Sequence, residues 1–155
     1  MKLLKPSEVR AQAGPLVCVV DEAEGFAELC TLFLKGTGCV VRAYNYRADA
    51  LAALTADRMR PDLLIMDQSG ESAPVDWFLQ RCLVVHPGLR ILMVSQLSQR
   101  DVVSSCICPH RFIQKPFTAD EFLQEVRAAF EHSSEGVDIP CAHEVFSCIQ
   151  VRINQ

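Results

Sequence analysis

Four polar features in this chain have the residue types to handle a phosphoryl group: the acid pair Asp21-Glu22, then Asp67, Ser95 and Lys115. Each one closes an apolar run. Acids from two neighbouring positions make a hard, oxygen-rich site suited to Mg²⁺. A hydroxyl and an ammonium beside them would meet the oxygens of a transferring group. Singly, each has an ordinary explanation. Asp21 could cap a helix, Asp67 or Ser95 could start a turn, and Lys115 could be a surface charge. The argument for a site rests on all four meeting at one edge of a sheet, and so on the elements that carry them.

Leu63-Leu64-Ile65-Met66 is an unbroken apolar run between Pro61-Asp62 and Gln68-Ser69-Gly70, the pattern of a strand buried on both faces and ending at Asp67. Leu16–Val20 is a first such strand, Cys39–Ala43 a second, Arg90–Val94 a fourth ending at Ser95, and Arg111–Gln114 a short fifth before Lys115-Pro116. Helical faces fall between them. Phe26, Leu29, Cys30 and Phe33 have helical spacing, and Gly36-Thr37-Gly38 stops that helix. Ala48, Leu51, Ala52 and Leu54 mark an alanine-rich helix. Phe78, Leu79, Cys82 and Val85 mark a third, starting near Pro74. The stretch from Gln96 to His110 predicts at most a short, atypical helix, because Val102 and Val103 are poor helix formers. After strand five, Thr118 and Glu121 form a capping box with Phe117 and Phe122 as its hydrophobic staple, and Phe122, Val126 and Phe130 share one face. Alternating strands and helices predict an α/β fold, a five-stranded parallel sheet, doubly wound. In a parallel sheet the four polar features lie on one edge, at the crevice where such sheets bind ligands.

The chain has 155 residues, half of them hydrophobic and 22% charged, which predicts a globular domain with a sizeable core. A net charge of −4 supplies no basic face, so no nucleic-acid binding is expected. No apolar stretch approaches the roughly 18 residues that span a membrane. The start is too short and charged for a signal peptide, so a cytoplasmic location is the default expectation. Eight cysteines are many. Cys18, Cys30, Cys39 and Cys82 stand where small apolar residues would go and are expected as buried free thiols. Cys106, Cys108, His110, Cys141, His143 and Cys148 cluster late in the chain, but their spacings are not those usual for zinc.

From Pro15 to Glu131 the sequence resembles the receiver domain of two-component response regulators, a flavodoxin-like fold. The resemblance lies in Val19-Val20-Asp21-Glu22, Leu64-Ile65-Met66-Asp67, Met93-Val94-Ser95 and Phe112-Ile113-Gln114-Lys115-Pro116-Phe117. It implies that Asp67 accepts a phosphoryl group from a sensor histidine kinase or a phosphotransfer protein. It also implies that Glu22 and Asp67, with Asp21 directly or through water and the Ser69 backbone carbonyl, hold Mg²⁺. Lys115 would neutralise the transferring group, Ser95 would hydrogen-bond it, and Phe112 would be the switch aromatic that alters a protein-binding face. No enzyme acting on a separate substrate is implied, only Mg²⁺-dependent self-phosphorylation and autodephosphorylation.

The chain departs from that pattern in places. Gln68–Pro74 lacks the Met-Pro of the loop after the acceptor. Gln96 stands where a small residue is usual, and its side chain is long enough to cover the site. Cys106–His110 replaces the Gly-Ala pair before strand five. These departures keep a second reading open: a pseudo-receiver that binds proteins without phosphorylation. A haloacid dehalogenase-type phosphatase also uses a strand-end aspartate, but needs a second Asp where this chain has Ser69. Three regions are expected: a leader over 1–14, the receiver-like domain over 15–131 and a tail over 132–155. In the tail Glu144–Ile153 is a candidate extra strand, which would pack on its own domain or in a homodimer.

Overall fold

The computed structural model describes residues 14–23, 25–68, 75–99 and 111–131. Nearly all of the leader, the expected helix after Ser95 and the tail, with its candidate strand and Cys/His pairs, lie outside them, as does Ser69.

Five strands form one parallel sheet in the order β2-β1-β3-β4-β5: β1 Leu16–Val20, β2 Val40–Tyr44, β3 Leu63–Gln68, β4 Arg90–Ser95 and β5 Arg111–Gln114. The described helices are α1 Phe26–Leu34, α2 Arg47–Thr55, α3 Val75–Val85 and α4 Ala119–Glu131. The chain winds outward from β1 to β2, then returns past β1 to β3 and continues the other way. Right-handed crossovers put helices on opposite faces when the winding reverses. Accordingly α1 and α4 share one face of the sheet, and α2 and α3 the other.

The pleat divides the apolar strand residues between two cores. Val17, Val19, Leu63, Ile65, Leu92, Val94 and Ile113 pack with Phe26, Cys30, Leu34, Phe122 and Val126. Cys18, Val20, Leu64, Met66, Ile91 and Met93 pack with Ala50, Leu54, Phe78, Leu79 and Cys82. The continuous apolar runs of β1, β3 and β4 are thus explained: each is covered on both sides. By contrast, β2 is an edge strand with mostly exposed residues.

Local devices hold the ends. Gly14 has φ +76°, and a Cβ there would lie 2.1 Å from the Gly38 carbonyl oxygen, so only glycine fits. The capping box of α4 forms in both directions: the Thr118 N–H donates to Glu121 Oε2 at 2.7 Å, and the Glu121 N–H donates to Thr118 Oγ1 at 3.2 Å. The Phe117 and Phe122 rings stack at 5.9 Å. Arg111 of β5 clamps Glu125 of α4 with two hydrogen bonds of 2.6 and 3.0 Å.

Three expected helix faces are corrected in part. On α1 the buried set is Phe26, Ala27, Cys30 and Leu34, and Leu29 is exposed. On α2 Ala50 and Leu54 are buried while Ala48 and Ala52 face solvent, because alanines carry too little area to orient a helix. On α3 Val85 is exposed at the last turn. Cys39 is only half-buried, since it precedes the edge strand.

Cys18, Cys30 and Cys82 are buried free thiols. Burial pushes the Cys18 and Cys82 thiols up to about 12 from 9.0, and raises Cys30 as well. Unfolded thiols ionise near 9.0 while these stay protonated, so the unfolded chain binds fewer protons above that pH. Stability is therefore expected to fall between pH 9 and 12. Each thiol contributes up to about 1.4 kcal/mol per pH unit. Urea titrations across that range check this, and Cys18→Val should make the decline shallower than in wild type.

Candidate functional site at the strand ends

β3 brings Asp67 to the carboxyl edge of the sheet, and β5 brings Lys115. The Lys115 backbone N–H donates to the Ser95 carbonyl at 2.8 Å, which extends the pairing of β5 with β4 by one residue. Its side chain then crosses the end of β4 and donates from Nζ to Asp67 Oδ2 at 2.5 Å. The Asp67 side chain is 1% exposed and that of Lys115 25%. The ammonium also lies 5.0 Å from the centre of the Phe26 ring, a favourable cation–π arrangement that limits where it can point. The Lys115-Pro116 peptide is cis.

Asp21 follows directly on β1, next to β3. Val20 pairs with Met66, so Asp21 and Asp67 come next in register on adjacent strands. Asp21 is buried and both of its carboxylate oxygens accept backbone hydrogen bonds. Oδ1 takes the Ala23 N–H at 3.0 Å and Oδ2 the Ala27 N–H at 2.9 Å, which ties the loop and the first turn of α1 to the strand end. Asp21 thus accepts an N–H of the first turn of α1, while the N-cap residue itself is Gly25.

Glu22 points elsewhere. Its Oε2 pairs with Nη2 of Arg47 at 3.1 Å. Ser95 is fully buried, and its hydroxyl donates to the Gln68 carbonyl at 3.0 Å while accepting the Leu97 N–H at 3.1 Å. Gln96 is exposed, and its backbone carbonyl accepts a hydrogen bond from Gln114 Nε2 at 3.1 Å. Phe112 is half-buried against the core beneath α2 and α3, beside Met93 of β4. The structure thus joins Asp67 directly to Lys115 and sets Asp21 and Ser95 on the neighbouring strand ends. It engages Glu22 with Arg47 instead.

Among the described residues no three His, Cys, Asp or Glu side chains converge as a ready-made metal cage. Mg²⁺ needs only one or two carboxylates and completes its shell with water. Asp21 and Asp67 meet that requirement as buried hard-oxygen donors on adjacent strands. Around them, Asp21, Glu22 and Asp67 outnumber the cations Lys115 and Arg47 paired with them, so the donor set fits a divalent cation.

Two participants were not among the expected site residues. Phe26 reads in the sequence only as part of a helix face. Arg47 lies just past the end of β2, at the same edge of the sheet, so the parallel-edge rule places its backbone near the site but not its side chain.

No protein-family model matches the sequence, and no curated protein matches it. Solved structures do. A response regulator receiver domain protein from Methanospirillum hungatei JF-1 superposes with a TM-score of 0.67 at 18% identity, covering 79% of this chain and 99% of that one. The signal receiver domain of an HD domain-containing protein from Pseudomonas fluorescens Pf-5 gives 0.67 at 20%, covering 77% and 96%. A response regulator receiver protein from Burkholderia phymatum gives 0.63 at 21%, covering 79% and 99%. At these identities the likeness establishes the fold.

The asymmetric burial of the ion pair sets the order of two substitutions. Lys115→Met removes the ammonium that compensates the enclosed Asp67 carboxylate and is expected to cost about 3 kcal/mol. Asp67→Asn leaves an ammonium that can turn to water and should cost clearly less. Urea denaturation of the two variants measures the difference.

Proposed function

On the premise of the receiver-domain fold, we propose that this chain accepts a phosphoryl group on Asp67. The observation that carries the reading is the buried Asp67 carboxylate bound to Lys115, with a second buried carboxylate, Asp21, on the next strand. The donor class is a phosphohistidine on a sensor kinase or a phosphotransfer protein. An Asp67 oxygen attacks phosphorus in line, the P–N bond breaks with its electron pair staying on nitrogen, and the imidazole leaves neutral because its other nitrogen has taken a proton from solvent. The product is an acyl phosphate. The ammonium of Lys115 beside Asp67 supports a role for it in neutralising the transferring group, and positioning plus charge compensation is most of what this transfer needs. Mg²⁺, held by Asp21 and Asp67, would supply further charge neutralisation on the same oxygens.

The Ser95 hydroxyl sits at the edge of this arrangement. For it to reach the new phosphoryl group it must leave the Gln68 carbonyl. That movement at the end of β4 would be felt by Phe112, which lies beside β4 in the sheet, and so would bias one packing of the protein-binding face over another. The chain would catalyse only its own phosphorylation and dephosphorylation. It would act in the cytoplasm, where such kinases present their phosphohistidine. No helix among the described residues is long and apolar enough to cross a membrane.

A second reading draws on the Glu22–Arg47 pair and on the two hydrogen bonds that hold Ser95: a pseudo-receiver that binds its partner without phosphorylation. One experiment separates them. With acetyl phosphate and Mg²⁺, mass spectrometry is expected to find an acyl phosphate on Asp67. Beryllofluoride should occupy the same position in fluorine NMR. Asp67→Asn should abolish both signals. Wild type without Mg²⁺-dependent occupancy would leave the pseudo-receiver standing.

A further inference from the structure

Arg47 is the first residue of α2, and the sheet brings it to the site. Val20 pairs with Tyr44, and the Asp21 N–H donates to the Tyr44 carbonyl at 3.0 Å, so the chain leaving β2 stays beside Asp21-Glu22. The Arg47 side chain is 13% exposed and that of Glu22 37%. The enclosed guanidinium takes part of its charge compensation from the Glu22 carboxylate, which its Nη2 meets at 3.1 Å.

We propose that Arg47 is a built-in competitor for the metal site. It holds the Glu22 carboxylate on its own guanidinium, and a divalent cation bound at Asp21 and Asp67 must win Glu22 from it. The proposal rests on the reading of these strand ends as a Mg²⁺ site. One carboxylate oxygen set cannot serve both cations fully, so the apparent Mg²⁺ affinity is lowered by the fraction of molecules in which the pair is closed. The same pair becomes a point of control. Whatever turns Arg47 outward, such as an acidic group on a docking partner, would raise Mg²⁺ occupancy and so readiness for transfer.

Isothermal titration of Mg²⁺ into the full chain, with no phosphodonor, tests this. Arg47→Ala is expected to tighten binding at least about fivefold. Removing any nearby positive charge would help a cation, so the gain must be shown to run through Glu22. In a Glu22→Gln background, Arg47→Ala should change affinity by less than about twofold, because the competition is gone. Arg47→Gln keeps much of the stem without the charge and replaces Arg47→Ala if that variant does not fold. Equal gains in both backgrounds, or no gain in wild type, would overturn the competitor while leaving the phosphoacceptor reading intact, provided Asp67→Asn still weakens Mg²⁺ binding. Absence of Asp67-dependent Mg²⁺ binding in both wild type and the Arg47 variants would remove the metal site and the competitor together.

Discussion

A carboxylate shut away from water is the constraint around which this molecule is built. Asp67 is the last residue but one of the central strand, which is covered on both faces, and Lys115 compensates its charge there. The partner comes from two strands away, so the ammonium must pass the end of β4 to arrive. That requires β3, β4 and β5 to hold a fixed stagger, which their register does from Leu63 through Gln114. The capping box and the Phe117–Phe122 stack fix where the chain goes just after Lys115, and the Phe26 ring limits the ammonium from the side. Distant parts of the fold therefore converge on one ion pair.

Strand positions were readable from residue order because β1, β3 and β4 are buried on both sides and need unbroken apolar runs. The predicted ends of β1 and β5 agree with the structure, and the capping box announced α4 by its spacing. Helix faces were harder to read. Where Ala48, Ala50 and Ala52 alternate, period alone cannot say which one turns inward, and the answer came from packing into the core that Ala50 and Leu54 share with Phe78 and Leu79. The Asp67–Lys115 meeting followed from the rule that parallel strands finish on one edge. The pairing of Glu22 with Arg47 did not, because it depends on side-chain direction after the strand ends, where no periodicity applies.

Several groups at this edge have structural duties as well. Asp21 holds the first turn of α1, and Ser95 fastens the end of β4 to that of β3. An edge assembled this way is stiff at rest. Any event there must be exchanged against an existing hydrogen bond, which makes the response stepwise rather than gradual.

The sealed thiols give the folded chain a chemical character of its own. An oxidant or alkylating agent needs thiolate and access, and Cys18, Cys30 and Cys82 offer neither while the two cores are closed. Each opening of the sheet exposes them for as long as it lasts. Damage at these positions would therefore accumulate in step with excursions out of the native state, and modified chains could not close again around the added bulk. In an oxidising setting the three cysteines would act as a ratchet that records how often the molecule has come apart.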